Sequence, residues 1–263
     1  MTETTPLDAA HAAMEAAPEN DAARLRFYER LAGSELFLLL TREAEGDRAD
    51  PEVFDLGDAR FVLVFDREER LAAFTGRAAP YLALSGRAVA SMLAGQGVGL
   101  GVNLEVAPSS ILIPAEAVDW LAQTLGHGPA EAEARVAEVT APRGLPDVLL
   151  TALDAKLASA AGLARSAWLA GAVYEGGGRG HLLGIAGTLP GAEAALAGAV
   201  NEALVFSGIE AGALDVVFLR DSDPMAARLA RVGLRFDLPE PEVPQEADRV
   251  APGSDPSKPP ILR

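Results

Sequence analysis

Glycine occupies every second position in one apolar stretch of the chain, Gly97-Val98-Gly99-Leu100-Gly101-Val102. A period of two is typical of a β-strand, because successive side chains of a strand point to opposite faces of the sheet. One face of this strand therefore carries no side chains. Glycine inside a strand often marks a place where another segment or a ligand approaches the backbone closely. We predict a strand with something packed against its bare face.

Helix signals flank the glycine strand on both sides. Before it, Ser85 suits a helix N-cap and Gly95 suits the position where that helix ends. After it, the run Ser110–Ile113 predicts a second short strand, and Pro114 suits the first turn of another helix. The stretch from Gly86 to Leu125 therefore predicts the order helix, strand, strand, helix.

The sequence as a whole predicts an α+β protein. Its N-terminal half predicts a domain of the α/β type, with a mixed sheet. Unbroken apolar runs at 36–40 and 61–65 are typical of interior strands covered on both faces. A short strand over 53–56 leads into Gly57 and Asp58, which suit a hairpin turn. We place this domain at residues 25–126. Residues 1–24 predict helix, and we expect the first helix to be loosely held and mobile.

The second half predicts a separate α+β domain at residues 135–238. Its strands and helices follow the order βαββαβ, which is the signature of a ferredoxin-like domain, with strands over 135–140, 166–174, 181–187 and 214–220. The turn-rich segment 127–134 predicts a linker between the two domains. The proline-rich segment 239–263 has almost no apolar periodicity and predicts a disordered tail.

Charge and composition bear on partners and location. The net charge of −16 disfavours a nucleic-acid backbone or an anionic membrane surface as a partner, because both would repel the chain. The absence of cysteine removes disulfides and thiolate chemistry and fits a cytoplasmic protein. The acidic first 20 residues do not resemble a signal peptide, and no segment reaches the roughly 20 apolar residues of a membrane span. A homo-oligomer is compatible with the sequence.

The familiar catalytic and cofactor motifs do not fit the sequence. The glycine run lacks the G-x-G-x-x-G spacing and enters a strand, which is the reverse of a dinucleotide-binding turn. His11, His127 and His181 have no metal-ligand spacing, and Asp221 with Asp223 lacks the further ligands of a calcium loop. Ser109 and Ser110 do not lie in a nucleophile elbow. We therefore predict no catalytic residue, no metal and no cofactor.

Asn103 is the polar residue that most favours a binding site. It sits in an otherwise apolar, glycine-alternating strand next to Glu105, and a buried amide has to be hydrogen-bonded, either within the protein or to a ligand or partner. Internal satisfaction of this amide is the simpler interpretation. The predicted binding surface is the bare face of the strand with the polar residues that follow it: Gly97, Gly99, Gly101, Asn103, Glu105, Ser109 and Ser110.

Two stretches resemble a known bacterial family. AGQGVGLGVNLEVAPSSILIPAEAVDWL resembles the N-terminal domain of the SseB family, and FSGIEAGALDVVFL resembles the C-terminal domain of its longer members. The resemblance covers about residues 25–238. It implies no catalytic residues, and the family name refers to enhanced serine sensitivity. The same name is used for an unrelated secretion translocator, whose long coiled-coil pattern this chain lacks.

Three functional hypotheses follow. The first is a non-catalytic cytoplasmic binding or regulatory protein that contacts a protein partner or a metabolite through the glycine-strand face. The second is an amino-acid sensor, because a βαββαβ domain resembles the regulatory ACT type and the family name refers to serine; this is an analogy from fold and name. The third is a hydrolase whose site is assembled from scattered residues.

Overall fold

A computed structural model describes residues 4–46, 49–126, 135–208, 214–220 and 222–239. The linker prediction, 127–134, and the tail prediction, apart from Pro239, lie outside these residues. In the described part of the chain, no helix is both long and apolar enough to cross a bilayer. The fold is mixed α and β, with eight helices and two mixed sheets among the described residues.

The first sheet and its helices are built from residues 6–126. Two parallel strands, β3 and β5, lie at its centre, and the strand order is β4-β1-β3-β5-β6. The short strands β1 and β2 share the other edge of β3, where β1 pairs with its end and β2 forms a hairpin with its start. The elements are α1 (Pro6–Ala16), α2 (Asp21–Gly33), β1 (Glu35–Leu39), β2 (Val53–Leu56), β3 (Ala59–Phe65), α3 (Glu68–Thr75), β4 (Tyr81–Ser85), α4 (Gly86–Leu93), β5 (Val98–Val102), β6 (Ile111–Ile113) and α5 (Ala115–Gly126).

Helices cover the two faces of this sheet unequally. On one face α2, α4 and α5 bury the main core, in which Phe27, Val89 and Val118 pack against Leu36, Val64 and Val102. On the other face, the smaller core around Leu39, Leu63 and Phe65 packs against Leu71 of α3. The side chains missing at the glycines belong to this second face.

Several local predictions are confirmed. Ser85 caps α4 by accepting a hydrogen bond from the Ala88 amide, and Gly95 follows that helix with a φ of 73°. The β2–β3 hairpin turns at Gly57, as predicted. Strand β4 was not predicted, because its alternation of half-buried and exposed residues is short and follows a proline.

The second sheet has a different strand order from the ferredoxin-like one. Its order is β10-β9-β8-β11, and β7 also pairs with β8. A ferredoxin-like sheet places the first and third strands of the motif side by side, so this part of the prediction is wrong. Neighbouring strands in the chain pair instead, which is the commoner outcome. The elements are β7 (Val136–Thr140), α6 (Asp147–Ser159), β8 (Ser166–Tyr174), β9 (Arg179–Ala186), α7 (Glu193–Phe206), β10 (Leu214–Leu219), α8 (Pro224–Val232) and β11 (Leu234–Asp237).

The length of β8 explains this arrangement. The nine-residue strand pairs with β11 over its first half and with β7 over its second half, along the same edge. The opposite edge pairs antiparallel with β9, and β10 lies parallel to β9 after the crossover through α7. Leu149, Leu153 and Leu157 of α6 are fully buried against this sheet, as their spacing of four residues predicts.

The two sheets belong to units that contact each other through their helices. Phe206, at the end of α7, is buried in the core of the N-terminal sheet and lies edge-on to Trp120 of α5. Trp120 in turn contacts Tyr28 of α2, with ring centroids 5.4 Å apart. Trp120 is therefore an anchor between helices of the two units.

Candidate functional site

The glycines of β5 make room for side chains of the protein itself. A Cβ at Gly99 would lie 2.6 Å from both the Ile113 carbonyl oxygen and the Phe61 ring. A Cβ at Gly101 would lie 2.5 Å from the Leu63 side chain. Strand β5 is buried along its whole length. The close approach that the alternation predicted is therefore made by neighbouring strands.

An apolar strip crosses the same face of the sheet beside these glycines. It consists of Phe54 and Leu56 on β2, Phe61 on β3 and Leu112 on β6, and we call it the glycine-face strip. Leu112 pairs directly with Gly101, so both lie on one face. Leu56 is 48% exposed and Leu112 is 43% exposed, whereas Phe61 is buried between them.

Asn103 organises the loop that follows β5. It is fully buried and adopts a left-handed backbone conformation with a φ of 50°. Its side-chain oxygen accepts a hydrogen bond from the Asp66 amide at 3.1 Å, and its side-chain nitrogen donates to Ser109 Oγ at 2.8 Å. The amide is thus satisfied internally and connects the ends of β3 and β5 with the loop before β6.

A buried polar cluster extends from Asn103 to the start of α1. Its members are all nearly inaccessible to water, and we call it the α1 cluster: Thr5, Asp8, Asp66, Arg70, Asn103 and Ser109. Arg70 of α3 donates from both terminal nitrogens to the two oxygens of Asp8, at 3.0 and 2.5 Å. The first of these nitrogens also contacts Asp66 at 2.8 Å.

The sequence at the start of α1 positions the carboxylate of Asp8. Thr5 and Asp8 form a reciprocal capping box, in which the Asp8 amide donates to Thr5 Oγ1 and the Thr5 amide donates to Asp8 Oδ2. The Thr5 hydroxyl also donates to Asp66 at 2.6 Å, and the Ser109 hydroxyl donates to Asp8 at 2.6 Å. Helix α1 is therefore fixed to the sheet by polar contacts as well as by Leu7, which is 1% exposed.

Burial and charge act in opposite directions on these groups. Burial favours the neutral form of Asp8, but the hydrogen bonds from Arg70 and Ser109 outweigh it and hold the pKa of that carboxyl well below its usual range. Burial likewise opposes the charged guanidinium of Arg70, yet Asp8 and Asp66 raise its pKa. The cluster holds two carboxylates beside one guanidinium.

The structure divides the seven predicted surface residues into two groups. Gly97, Glu105 and Ser110 are exposed, whereas Gly99, Gly101, Asn103 and Ser109 are buried. Ser110 accepts a hydrogen bond from the Glu105 amide, so the exposed residues shape a turn. Whether a partner binds there stays a prediction, and the apolar side chains that are exposed on this face come from β2 and β6.

Sequence reasoning missed Thr5, Asp8, Asp66 and Arg70. The capping box is visible in the sequence as Thr-x-x-Asp before an apolar run, and Asp66 with Arg70 has the i, i+4 spacing of a helical ion pair. Nothing in the sequence indicates that these two signals meet, because Asp8 and Arg70 are 62 positions apart.

The other polar candidates are engaged elsewhere or lie outside the described residues. His11 packs edge-on against Phe27, and His181 contacts the Arg143 carbonyl at 3.0 Å. Asp223 caps α8, as predicted. His127 and Asp221 lie outside the described residues. Within the described ranges, no group of three or more acidic or histidine side chains is placed to hold a metal ion.

Comparison with known protein families finds a match for the N-terminal unit. Residues 7–120 match the model of the SseB protein N-terminal domain. The match includes α1, which the resemblance read from the sequence left outside. No curated protein and no solved structure matches the chain.

Proposed function

Because residues 7–120 match the SseB protein N-terminal domain, we propose that this chain is a non-catalytic binding and regulatory protein of the cytoplasm. Its partner is a protein segment that carries apolar side chains flanked by basic residues. The segment binds to the glycine-face strip. The observation that carries the proposal is the exposure of Leu56 and Leu112 at the two ends of an apolar strip in which Phe54 is half-buried and Phe61 is buried.

The shape of the strip suits an extended protein segment. The strip runs diagonally across β2, β3, β5 and β6: its width across the strands is three strand spacings, or about 14 Å, and its two ends lie level with Ala59 and Leu63 of β3. The Phe61 ring occupies the space beside Gly99 at the centre of the strip, and the leucines at its two ends are exposed. An exposed apolar surface with polar surroundings is typical of a protein interaction site. Small-molecule sites are instead enclosed and have convergent polar groups.

Charge supports a basic partner. Asp58 is acidic and lies in the β2–β3 turn, two positions after Leu56. Glu105 is also acidic, and its amide donates to Ser110, which is two positions before Leu112. The chain as a whole has a net charge of −16. The negative electrostatic potential of such a chain accelerates association with a cationic segment and repels an acidic one.

The amino-acid sensor hypothesis no longer has the support of the second sheet. It depended on a ferredoxin-like arrangement, and the observed strand order is different.

The test uses displayed random peptides selected against the full chain. Selected peptides should contain apolar residues beside lysine or arginine. They should bind the double variant Leu56→Ser/Leu112→Ser at least tenfold more weakly in fluorescence anisotropy. Leu189→Ser is the matched control, because Leu189 is 52% exposed and lies in the other unit. Equal binding to all three proteins, or selection of peptides without basic residues, would overturn the proposal.

A further inference from the structure

The α1 cluster lies where sheets with parallel strands commonly bind ligands. Asp66 directly follows β3 and Asn103 directly follows β5, and these two strands are parallel neighbours. In open α/β sheets, ligands bind in the crevice outside the carboxyl ends of such strands. In this protein the start of α1 covers that position, and Asp8 is the group that enters it.

Most of the groups that hold Asp8 do not belong to α1. Arg70 is on α3, Ser109 precedes β6, and Asn103 orients the Ser109 hydroxyl. A guanidinium that donates two parallel hydrogen bonds to two carboxylate oxygens has the geometry of specific carboxylate recognition. The Nε of Arg70 is buried and has no partner among the described residues, so the guanidinium retains an unused donor.

The groups that remain without α1 have one charge of each sign. When Asp8 and Thr5 leave, the guanidinium of Arg70 loses one carboxylate and Asp66 loses the Thr5 hydroxyl. The carboxylate of Asp66 and the guanidinium of Arg70, which contact each other at 2.8 Å in the closed state, then each have room for a further partner. A zwitterionic ligand complements this pair better than a simple anion does.

We propose that Arg70, Ser109 and Asp66 form a binding site for an α-amino acid, and that Asp8 of α1 occupies its carboxylate position in the closed protein. The carboxylate of the ligand binds Arg70 and Ser109, and its ammonium group binds Asp66. Helix α1 is then an internal competitor whose release accompanies binding. This inference is independent of the glycine-face strip.

Apolar contacts of α1 set the balance between the closed and open states. Leu7 is fully buried, and His11 contacts Phe27, so release of α1 exposes both. The apparent affinity of a ligand that binds only the open state is reduced by the small open fraction. Weakening the hold of α1 at Asp8 therefore raises the apparent affinity without changing Arg70, Ser109 or Asp66.

The experiment compares ligand binding by full-length wild type, Asp8→Ala and Asp21→Ala, using calorimetry and thermal shift. Glycine is the zwitterionic probe, acetate tests the carboxylate alone, and methylamine tests the amine alone. Asp21→Ala is the matched control, because Asp21 also lies in a first helical turn and its removal changes the charge equally. We expect Asp8→Ala to bind glycine at least tenfold more tightly than the other two proteins, and acetate less tightly than glycine.

Two further variants ensure that the binding experiment tests the proposal even if Asp8→Ala does not fold. Asp8→Asn preserves the side-chain volume, so it replaces Asp8→Ala if the latter does not fold, and it should also bind glycine more tightly than wild type. Adding Arg70→Met to either variant should abolish binding. The proposal is wrong if glycine binds the Asp8 variants no more tightly than Asp21→Ala. Equal binding of acetate and glycine would overturn the role of Asp66.

Discussion

Two charge clusters in this protein use the same bidentate geometry in different surroundings. In the α1 cluster, Arg70 and Asp8 are each 2% exposed. In the other, Arg87 of α4 donates to both oxygens of Glu202 of α7, at 2.8 and 3.2 Å, and Lys156 of α6 contacts Glu202 at 2.9 Å. We call this second group, which also includes Glu29 of α2, the interdomain cluster. Arg87 is 47% exposed, so water reaches it.

We expect burial, more than geometry, to decide what each ion pair contributes to stability. Removing one partner from a buried pair leaves a charge that water cannot solvate, which is strongly destabilising. At a half-exposed pair, water and salt replace much of the lost interaction. The α1 cluster should therefore contribute strongly to the free energy of unfolding of the N-terminal unit. The interdomain cluster should make a smaller contribution, to the contact between the two units.

The largest expected effect comes from Arg70→Met. The substitution leaves Asp8 and Asp66 buried without their cation, and such a loss typically costs about 3–5 kcal/mol in the free energy of unfolding. Denaturant titration of the full chain measures it. Arg70→Lys keeps the charge but loses the two-pronged contact, so it should be destabilised less than Arg70→Met.

A small effect at Arg70 would contradict the role assigned to burial. If Arg70→Met lowers the free energy of unfolding by less than about 1 kcal/mol, burial does not have the consequence assigned to it. If this variant cannot be refolded, Asp8→Asn serves instead. It removes one of the two carboxylates that contact the buried guanidinium, leaving Asp66, while it preserves the capping box acceptor. Its cost should still exceed that of every variant of the interdomain cluster.

An intermediate effect is expected for Glu202→Gln. The side chain of Glu202 is 10% exposed, but its partners are in contact with solvent, so we expect a loss of about 1 kcal/mol. Burial opposes ionisation of Glu202, yet Arg87 and Lys156 outweigh it and lower its pKa. The stability from this carboxylate is therefore present above its unfolded pKa, about 4.3, and is lost as the pH falls through the lower folded value.

Salt and pH separate Glu202→Gln from Arg70→Met. The difference between wild type and Glu202→Gln should shrink when the ionic strength rises to about 1 M, where screening acts over roughly 3 Å. It should also shrink in acid, as the wild-type carboxyl takes up a proton. The cost of Arg70→Met should change little with salt. A salt-independent cost at Glu202 would mean that the interdomain cluster behaves as a buried one.

The sequence was informative where structure is determined by near neighbours. The glycine alternation predicted β5, the N-cap at Ser85 predicted the start of α4, and the leucines spaced by four residues predicted α6. Pairing between strands was harder to predict. The order βαββαβ was read correctly, but it does not say which strand lies beside β8, and two strands share one of its edges.

The candidate site illustrates the same limit more sharply. Asn103 stood out because an amide beside a glycine strand needs hydrogen bonds, and the structure provides them. Its connection to Asp8 passes through Ser109, which is 101 positions away from Asp8. No periodicity spans such a distance. In the sequence, a capping box and an ion-pair spacing each indicate only a feature of one helix. Their contact with each other becomes visible only in the fold.

The smallest expected effect is at a fully solvated pair, Arg24 and Asp21 of α2. Their side chains are 51% and 77% exposed, and the contact has i, i+3 spacing. Exposed helical pairs contribute about 0.3–0.5 kcal/mol, so Arg24→Ala should lower the free energy of unfolding by no more than this amount at low salt. Denaturant titrations at low and high ionic strength measure it beside Glu202→Gln. Together with Arg70→Met, the three variants form a series from exposed to buried. An Arg24→Ala cost equal to that of Glu202→Gln would mean that partial burial adds nothing to an ion pair in this protein, and only complete removal from water would then distinguish the α1 cluster.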